Sequence, residues 1–492
     1  MLTFFIVFLY LLAMLAIGLW VSKAEAAKSK VNFVSEYFLG GRGMGAFVFA
    51  MTVICTYTSG SSFVGGPGTT YDRGFGWMLM AVANIPVMFY TLGIIGKKLA
   101  IVSRRVNAVT VTDYLYARYQ SNFVSFAASI SMIIFFVAIM IAQFVAGARL
   151  FEAVTGYSYV AGLAIFGLMV VVYTAVGGFR AVVITDAVQG VIMLGGTFLL
   201  LFSLNKLGGG LDAIMDNISA QGSKYLDPIG EGAVPPLLLL SQMFMVGFAT
   251  LGLPQTAVRC MGYKDCKSLH RAMIIGTPII GVLLFGMHFA GGMARAVLTE
   301  TPASPDLVIP IVVTQLFHPI LAGLLIAGPL AAVMSTVDSL LIMVSADLIK
   351  NMYIKLNPSV GDETIPENEK KLKKISVLAT FAIGIAVFVL AINPPTVIIW
   401  INNFAFGGLE IAFLMPVVMG LFWRKANRMG VITSIVVSVT TYIIVMSLGV
   451  SLNGMHNIMI GLVTSVVFFF IGNAMGRDPD AKTQQLFFGK AA

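Results

Sequence analysis

Thr58-Ser59-Gly60-Ser61-Ser62, followed by Gly65-Gly66-Pro67-Gly68, interrupts an apolar run that begins near Ala46. These are poor helix formers, placed where a lipid-spanning segment would need an unbroken helix. Non-helical backbone at membrane depth must be buried in protein or line a watery cavity. The stretch is therefore expected to free amides and carbonyls that can serve as ligands. A weaker echo occurs at Gly247, Thr250 and Gly252-Leu253-Pro254, and in both places a glycine stands two positions before a proline. Interrupted spans at matching places in two halves point to an inverted-repeat secondary transporter with a midplane site. Glycine and proline also permit close packing between membrane helices, and for either break alone that reading stays open.

Composition sets the environment. Of 492 residues, 58% are hydrophobic and 11% charged, against about 25% charged in soluble domains, and the mean hydropathy is +0.92. A soluble globular protein is excluded. Thirteen spans are expected, starting near Leu2, Ala46, Phe75, Phe123, Tyr159, Ala181, Pro235, His270, Pro319, Ile375, Val397, Met429 and Asn457. The first is read as a retained span, not a secretory signal, because Lys23, Lys28 and Lys30 follow its apolar run instead of preceding it. That puts the amino terminus outside and the carboxyl terminus in the cytoplasm of a multi-pass plasma-membrane protein. With this topology, 26 of the 31 Lys and Arg fall in cytoplasmic loops and tail, leaving Arg73, Arg149, Lys206, Lys224 and Arg295 outside, as the positive-inside rule expects. The net charge of +9 is then a topology signal, and no nucleic-acid partner is expected. Trp20, Trp77 and Trp423 at span ends read as an aromatic belt. Connectors at 208–232, outside, and 350–374, inside, are polar enough to be small extramembrane elements, with plain solvated loops as the alternative.

Little supports enzyme chemistry. Cys55, Cys260 and Cys266 imply no disulfide framework, the last two reading as cytoplasmic-loop residues. His270, His288, His318 and His456 lack metal-site spacing, and no phosphate-cradling loop occurs. The ninth span is more informative: Ala332, Ser335 and Thr336, at i, i+3 and i+4, share a helix face. Hydroxyl and carbonyl oxygens suit a small monovalent cation without the charge that would hold it too tightly. The alternative is back-bonding of the hydroxyls to carbonyls one turn earlier. Ionisable residues within spans are functional candidates by default, here Asp186, Asp338 and Glu410. Asp186 could instead cap a helix or pair with Arg180, and Glu410 could pair near a span end. No basic residue is expected deep in a span.

Tyr173-Thr174-Ala175-Val176-Gly177-Gly178-Phe179-Arg180-Ala181 resembles the signature of the sodium:solute symporters, and Ala331-Ala332-Val333-Met334-Ser335-Thr336 fits it too. Glu36-Tyr37-Phe38-Leu39-Gly40, Gly147-Ala148-Arg149-Leu150-Phe151-Glu152 and the run from Gly252 to Cys260 look most like the pantothenate-carrying branch of that family. The resemblance implies an all-α integral membrane fold of about thirteen transmembrane helices with a leucine-transporter-like five-plus-five inverted repeat. Its parts would be a leading helix at 1–22, repeats at 46–206 and 235–423, two trailing helices at 428–475 and a short cytoplasmic tail at 476–492.

The same resemblance implies a main sodium site made by the carbonyls of Cys55, Thr58 and Ala332 and the hydroxyls of Ser335 and Thr336. Relatives with a second sodium use an aspartate matching Asp186 and small hydroxyl residues at the positions of Asp338 and Ser339. Asp338 departs from that pattern, and its carboxylate could bind a second cation, carry a proton or pair internally. Substrate is expected beside the span-two break, against Tyr57, Ser59, Gly60, Ser61, Asn84, Gln143, Thr250, Asn402 and Asn403. A pantothenate carboxylate would sit at the half-helix amino end near Ser59 to Ser62. Sodium would be the coupling ion, pantothenate or a similar small carboxylate the cargo, and no obligate protein partner is evident. Related scaffolds carry proline, sialic acid, sugars or monocarboxylates, so another cargo, or a transporter-like membrane sensor, stays open; an enzyme is not expected.

Overall fold

A computed structural model describes residues 2–26, 37–39, 42–361, 365–450 and 452–489. Lys28 and Lys30, used for topology, and Glu36 and Gly40 of the resemblance lie outside the described residues. The described secondary structure is helical, with only two isolated bridges, Met44 to Tyr263 and Leu452 to Met455. Helices satisfy their own backbone groups, which lipid cannot do.

Among the described residues, ten helices are long and apolar enough to cross a membrane, and twelve if each of two bent pairs is one span. The bent pairs are spans two and seven of the sequence numbering. Span two runs Ala46–Tyr57 and Ser61–Arg73 with a 65° bend, and span seven runs Pro236–Gly252 and Pro254–Gly262 with a 44° bend. Spans five and six form one 49-residue run, Tyr159–Leu207. At 1.5 Å per residue a straight helix of that length would reach about 73 Å, against about 30 Å of hydrocarbon. The run turns at Gly178, where φ is 64° and ψ is −177°, a conformation that side-chain-bearing residues resist. A count of thirteen would follow from taking its two sides separately.

Span nine, Pro319–Leu356, and span eleven, Ile398–Phe422, form the centre: 83% and 78% of their apolar windows are buried, against 33% for Leu2–Val21 and Ile458–Met475. Outer spans keep large side chains such as Leu168, Phe202 and Leu240 exposed, as a lipid-facing surface requires. At one end of span eleven, buried Arg118 caps the helix, with Nε donating to the Gly420 carbonyl at 2.9 Å and Nη2 to that of Trp423 at 3.0 Å. A cation at a helix C-terminus satisfies carbonyls that lack an intrahelical donor and complements the dipole.

Three expectations change. The span-two interruption is confined to residues 58–60; Gly65 to Gly68 are helical. Their missing side chains allow close approach instead, since a Cβ would collide with His288 at Gly66 and Pro305 at Gly68 and press tightly on Ile399 at Gly65. Trp77 is fully buried, its ring 6.0 Å from Trp400 with Arg73 over both rings, so it packs inside the bundle and belongs to no lipid-facing belt. Cys260 is buried in the second half of span seven, while Cys266 is exposed.

Candidate ion and substrate site

The helix of span two ends at Thr58, which is extended at φ −94° and ψ 127°. In a continuous helix the amides of Ser59, Gly60 and Ser62 would bond the carbonyls of Cys55, Thr56 and Thr58. Here those amides go elsewhere: Ser59 N to Ser62 Oγ at 3.4 Å, Gly60 N to Gln143 Oε1 at 2.6 Å, and Ser62 N to the Ser59 carbonyl at 2.9 Å. The break thus releases carbonyl oxygens at Cys55 and Thr58 from helical bonding. It also leaves few open amides for a substrate carboxylate, because Phe63 N too is held by Ser59, at 3.1 Å. The anion cradle expected near Ser59 to Ser62 is therefore largely filled by the protein itself.

Span nine meets the released carbonyls. Thr336 Oγ1 donates toward the Thr58 carbonyl at 3.2 Å and the Ala332 carbonyl at 2.9 Å, and Ser335 Oγ donates to Ala332 at 3.2 Å. Ligands of an octahedral cation with bonds of about 2.4 Å stand about 3.4 Å apart. These oxygens already hold nearly that spacing, and the set contains no charged group. Back-bonding and cation ligation are thus compatible for these hydroxyls. Cys55 adds a tie to span six, its Sγ donating to the Asp186 carbonyl at 3.2 Å.

On the other side of the break lies a cavity enclosing ≈ 540 Å³ of non-atom space, part of it open to solvent. Tyr57 and Ser61 of span two, Asn84 of span three, Thr250 of span seven, and Asn402 and Asn403 of span eleven line it together. Ser59, Gly60 and Gln143 do not. Gln143 sits behind the wall as the cap on Gly60, Ser59 Oγ pairs with Ser61 Oγ at 2.8 Å, and Gly60 packs against Ala146, Gln143 and Val333 with no room for a side chain. Ser62, Met80, Met245, Val246, Leu284, Ile399, Phe406 and His288 complete the lining. The apolar members carry no sequence signal beyond their span. His288 did carry one, as an ionisable residue inside an apolar run.

A second polar cluster lies beside these oxygen atoms. Asp186 accepts from Thr52 Oγ1 at 2.6 Å and is ion-paired with Arg259 at 3.7 Å; Arg259 donates to Ser339 Oγ at 2.5 Å. Ser339 donates to Asp338 Oδ1 at 3.3 Å, and the Tyr173 hydroxyl donates to Asp338 Oδ2. All of these side chains are buried. Arg259 corrects the expectation that no basic residue lies deep in a span, since it belongs to the buried second half of broken span seven and to no solvated loop. Asp186 takes Arg259 as an ion-pair partner. Two carboxyl groups lie in a cluster with one guanidinium, and because burying an unbalanced charge is costly, the cluster is balanced only when one carboxyl holds a proton or a cation joins it. Glu410, a functional candidate with pairing near a span end as the alternative, is buried in mid-span with neither carboxyl oxygen hydrogen-bonded.

Comparison with known proteins agrees with this architecture. A model of the sodium:solute symporter family matches residues 37–438. The chain is 42% identical over 468 residues to the sodium/pantothenate symporter of Escherichia coli, covering 95% of each chain. It is 40% identical over 462 residues to the sodium/pantothenate symporter of Haemophilus influenzae, covering 94% of each. The fold matches that of a sodium-coupled sialic acid symporter in a substrate-bound, outward-open state, with a TM-score of 0.79 over 98% of both chains at 21% identity. The leucine-transporter-like fold and the sequence lead to one conclusion: the chain belongs to the sodium:solute symporter family.

Proposed function

We propose that this protein imports pantothenate by sodium-coupled alternating access across the plasma membrane, with its amino terminus outside and its carboxyl terminus in the cytoplasm. The observation that carries the coupling is the shared break of span two. Thr58 turns its carbonyl toward Thr336 while the neighbouring Tyr57 and Ser61 line the cavity. One sodium ion ligated by Cys55, Thr58, Ala332, Ser335 and Thr336 would fix the segment that receives the substrate. By linkage, substrate must then tighten sodium binding by the same factor. The repeats at 46–206 and 235–423, each entered through a broken span, would be the elements that rock about this site.

The cluster of Asp186, Asp338 and Ser339 is proposed as a second cation site. A tenfold sodium gradient supplies about 1.4 kcal/mol per ion, and 100 mV adds about 2.3 kcal/mol per net charge moved inward. One sodium with a monoanion is electroneutral and sustains about tenfold accumulation. Two sodium ions supply about 5.1 kcal/mol, enough for roughly several thousand-fold. If Asp338 serves the second ion, Asp338→Asn lowers the measured sodium-to-substrate ratio; an unchanged ratio assigns Asp338 to internal pairing.

The cargo reading is supported by the two relatives at 40% and 42% identity that are named sodium/pantothenate symporters. It is tested by competition: unlabelled pantothenate, but not proline, sialic acid or simple monocarboxylates, should displace labelled pantothenate from sodium-driven uptake. Stronger displacement by one of the others reassigns the cargo within the family. Sodium-dependent binding without net transport would favour a sensor.

A further inference from the structure

Two polar atoms of cavity-lining side chains lack partners, and both accept hydrogen bonds: Asn402 Oδ1 and His288 Nε2. His288 stands on span eight, Cys266–Val297, and is 3% exposed. Its Nδ1 lies 2.7 Å from the carbonyl of Leu284, one turn earlier. A carbonyl can only accept, so Nδ1 carries the hydrogen and the neutral ring keeps a free lone pair on Nε2. The ring packs against Gly66, where any side chain would collide with Nε2. That contact holds the imidazole against the outer half of span two, whose Ser61 and Ser62 share the same cavity. A buried acceptor without a donor is expensive to leave unmade, and two of them in one wall call for a ligand that brings donors.

We propose that His288 and Asn402 form a hydroxyl-recognition subsite, with His288 Nε2 accepting a hydrogen bond from a substrate hydroxyl and Asn402 Oδ1 accepting from a second hydroxyl or an amide N–H. This rests on the pantothenate reading above and deepens it. Pantothenate carries two hydroxyls and one amide N–H, so it supplies both donors, whereas proline and simple monocarboxylates bring no hydroxyl. A site built to bond a hydroxyl rejects an analogue lacking it far more strongly than an apolar pocket rejects a change of size. His288 is then a specificity-determining residue on a span where the sequence offered no substrate contact.

The test uses full-length protein in proteoliposomes under an inward sodium gradient, with labelled pantothenate and two analogues that each lack one hydroxyl. Wild-type protein should prefer pantothenate over one of the two by at least about tenfold in uptake efficiency. His288→Leu should lose about that factor for pantothenate through KM and leave uptake of that analogue unchanged, erasing the preference. His288→Gln, which keeps a side-chain acceptor, should restore part of it. An unchanged sodium dependence in both variants shows that the ion site is intact. Equal losses for pantothenate and both analogues, or no loss at all, would overturn the subsite. So would wild-type protein that discriminates neither analogue, a result that needs no variant to fold. Absence of pantothenate uptake by wild-type protein that still transports another solute rejects the cargo reading first and the subsite with it.

Discussion

The hydroxyl of Thr336 on span nine stands 3.2 Å from the carbonyl of Thr58, the residue at which span two leaves the helix. Two elements far apart in sequence thus meet through uncharged oxygen atoms at cation-ligand spacing. Their contact joins the proposed ion site to the cavity wall, because Thr58 is flanked by Tyr57, which lines the cavity.

Thr336→Val keeps the side-chain shape and removes one oxygen. Half-saturating sodium for uptake should rise by roughly tenfold or more, with substantial recovery of rate at high sodium, since a lost charge-assisted contact costs about 1.5–3 kcal/mol. Titrating sodium at fixed substrate checks this. An unchanged sodium requirement would remove Thr336 from the ion site.

Arg259 and Asp186 are both fully buried and 3.7 Å apart. Removing one partner of such a pair strands the other, at a cost of about 3–5 kcal/mol. Arg259→Gln should therefore lower thermal stability in detergent markedly, and the double variant Arg259→Gln with Asp186→Asn should be closer to wild type than the sum of the single losses. Additive losses would show that the two groups act independently.

Gln143 caps the Gly60 amide at 2.6 Å and lies outside the cavity lining. Gln143→Leu leaves that amide without a partner, a loss of about 1–3 kcal/mol. It should weaken sodium and substrate binding together and reduce uptake of all cargos in similar proportion. A selective loss for one cargo would instead place Gln143 in direct contact with substrate.

Asp306, in the segment Pro305–Leu307 that precedes span nine, accepts from the Ile398 amide at 3.1 Å, and burial pushes its carboxyl up to about 6. The unfolded chain releases this proton near pH 4, whereas the folded protein holds it until about 6. The resulting stability is fully present below pH 4 and is lost as pH rises through 6. Wild-type protein should thus lose more thermal stability between pH 5 and 7.5 than Asp306→Asn, which cannot ionise; parallel profiles would contradict the assignment.

Much of the contact between spans two and nine could be read from local chemistry. Thr58 to Gly60 combine residues that leave a helix easily, and Ser335 and Thr336 sit one turn from Ala332, so both halves of the proposed ion site carried a signal. Arg259 did not, because counting it toward a cytoplasmic loop ignores that a broken span lets its second half carry charge inside the bundle, opposite Asp186. Gln143 caps the Gly60 amide and stands outside the cavity lining, because a glutamine beside a broken helix can bond the freed backbone as readily as a substrate. Trp77 ends a span by sequence yet packs against Trp400, a contact that depends on long-range folding. His288 could have been found by applying to histidine the rule used for Asp186, Asp338 and Glu410.

The most direct measurement is uptake of labelled pantothenate into proteoliposomes with an inward sodium gradient, against a matched potassium gradient, for wild-type protein and for Ser335→Ala with Thr336→Ala. Sodium-dependent accumulation by the wild type that the double variant loses is the predicted result. Equal uptake with potassium, or sodium-driven uptake that survives the double variant, would contradict coupling through the contact between spans two and nine.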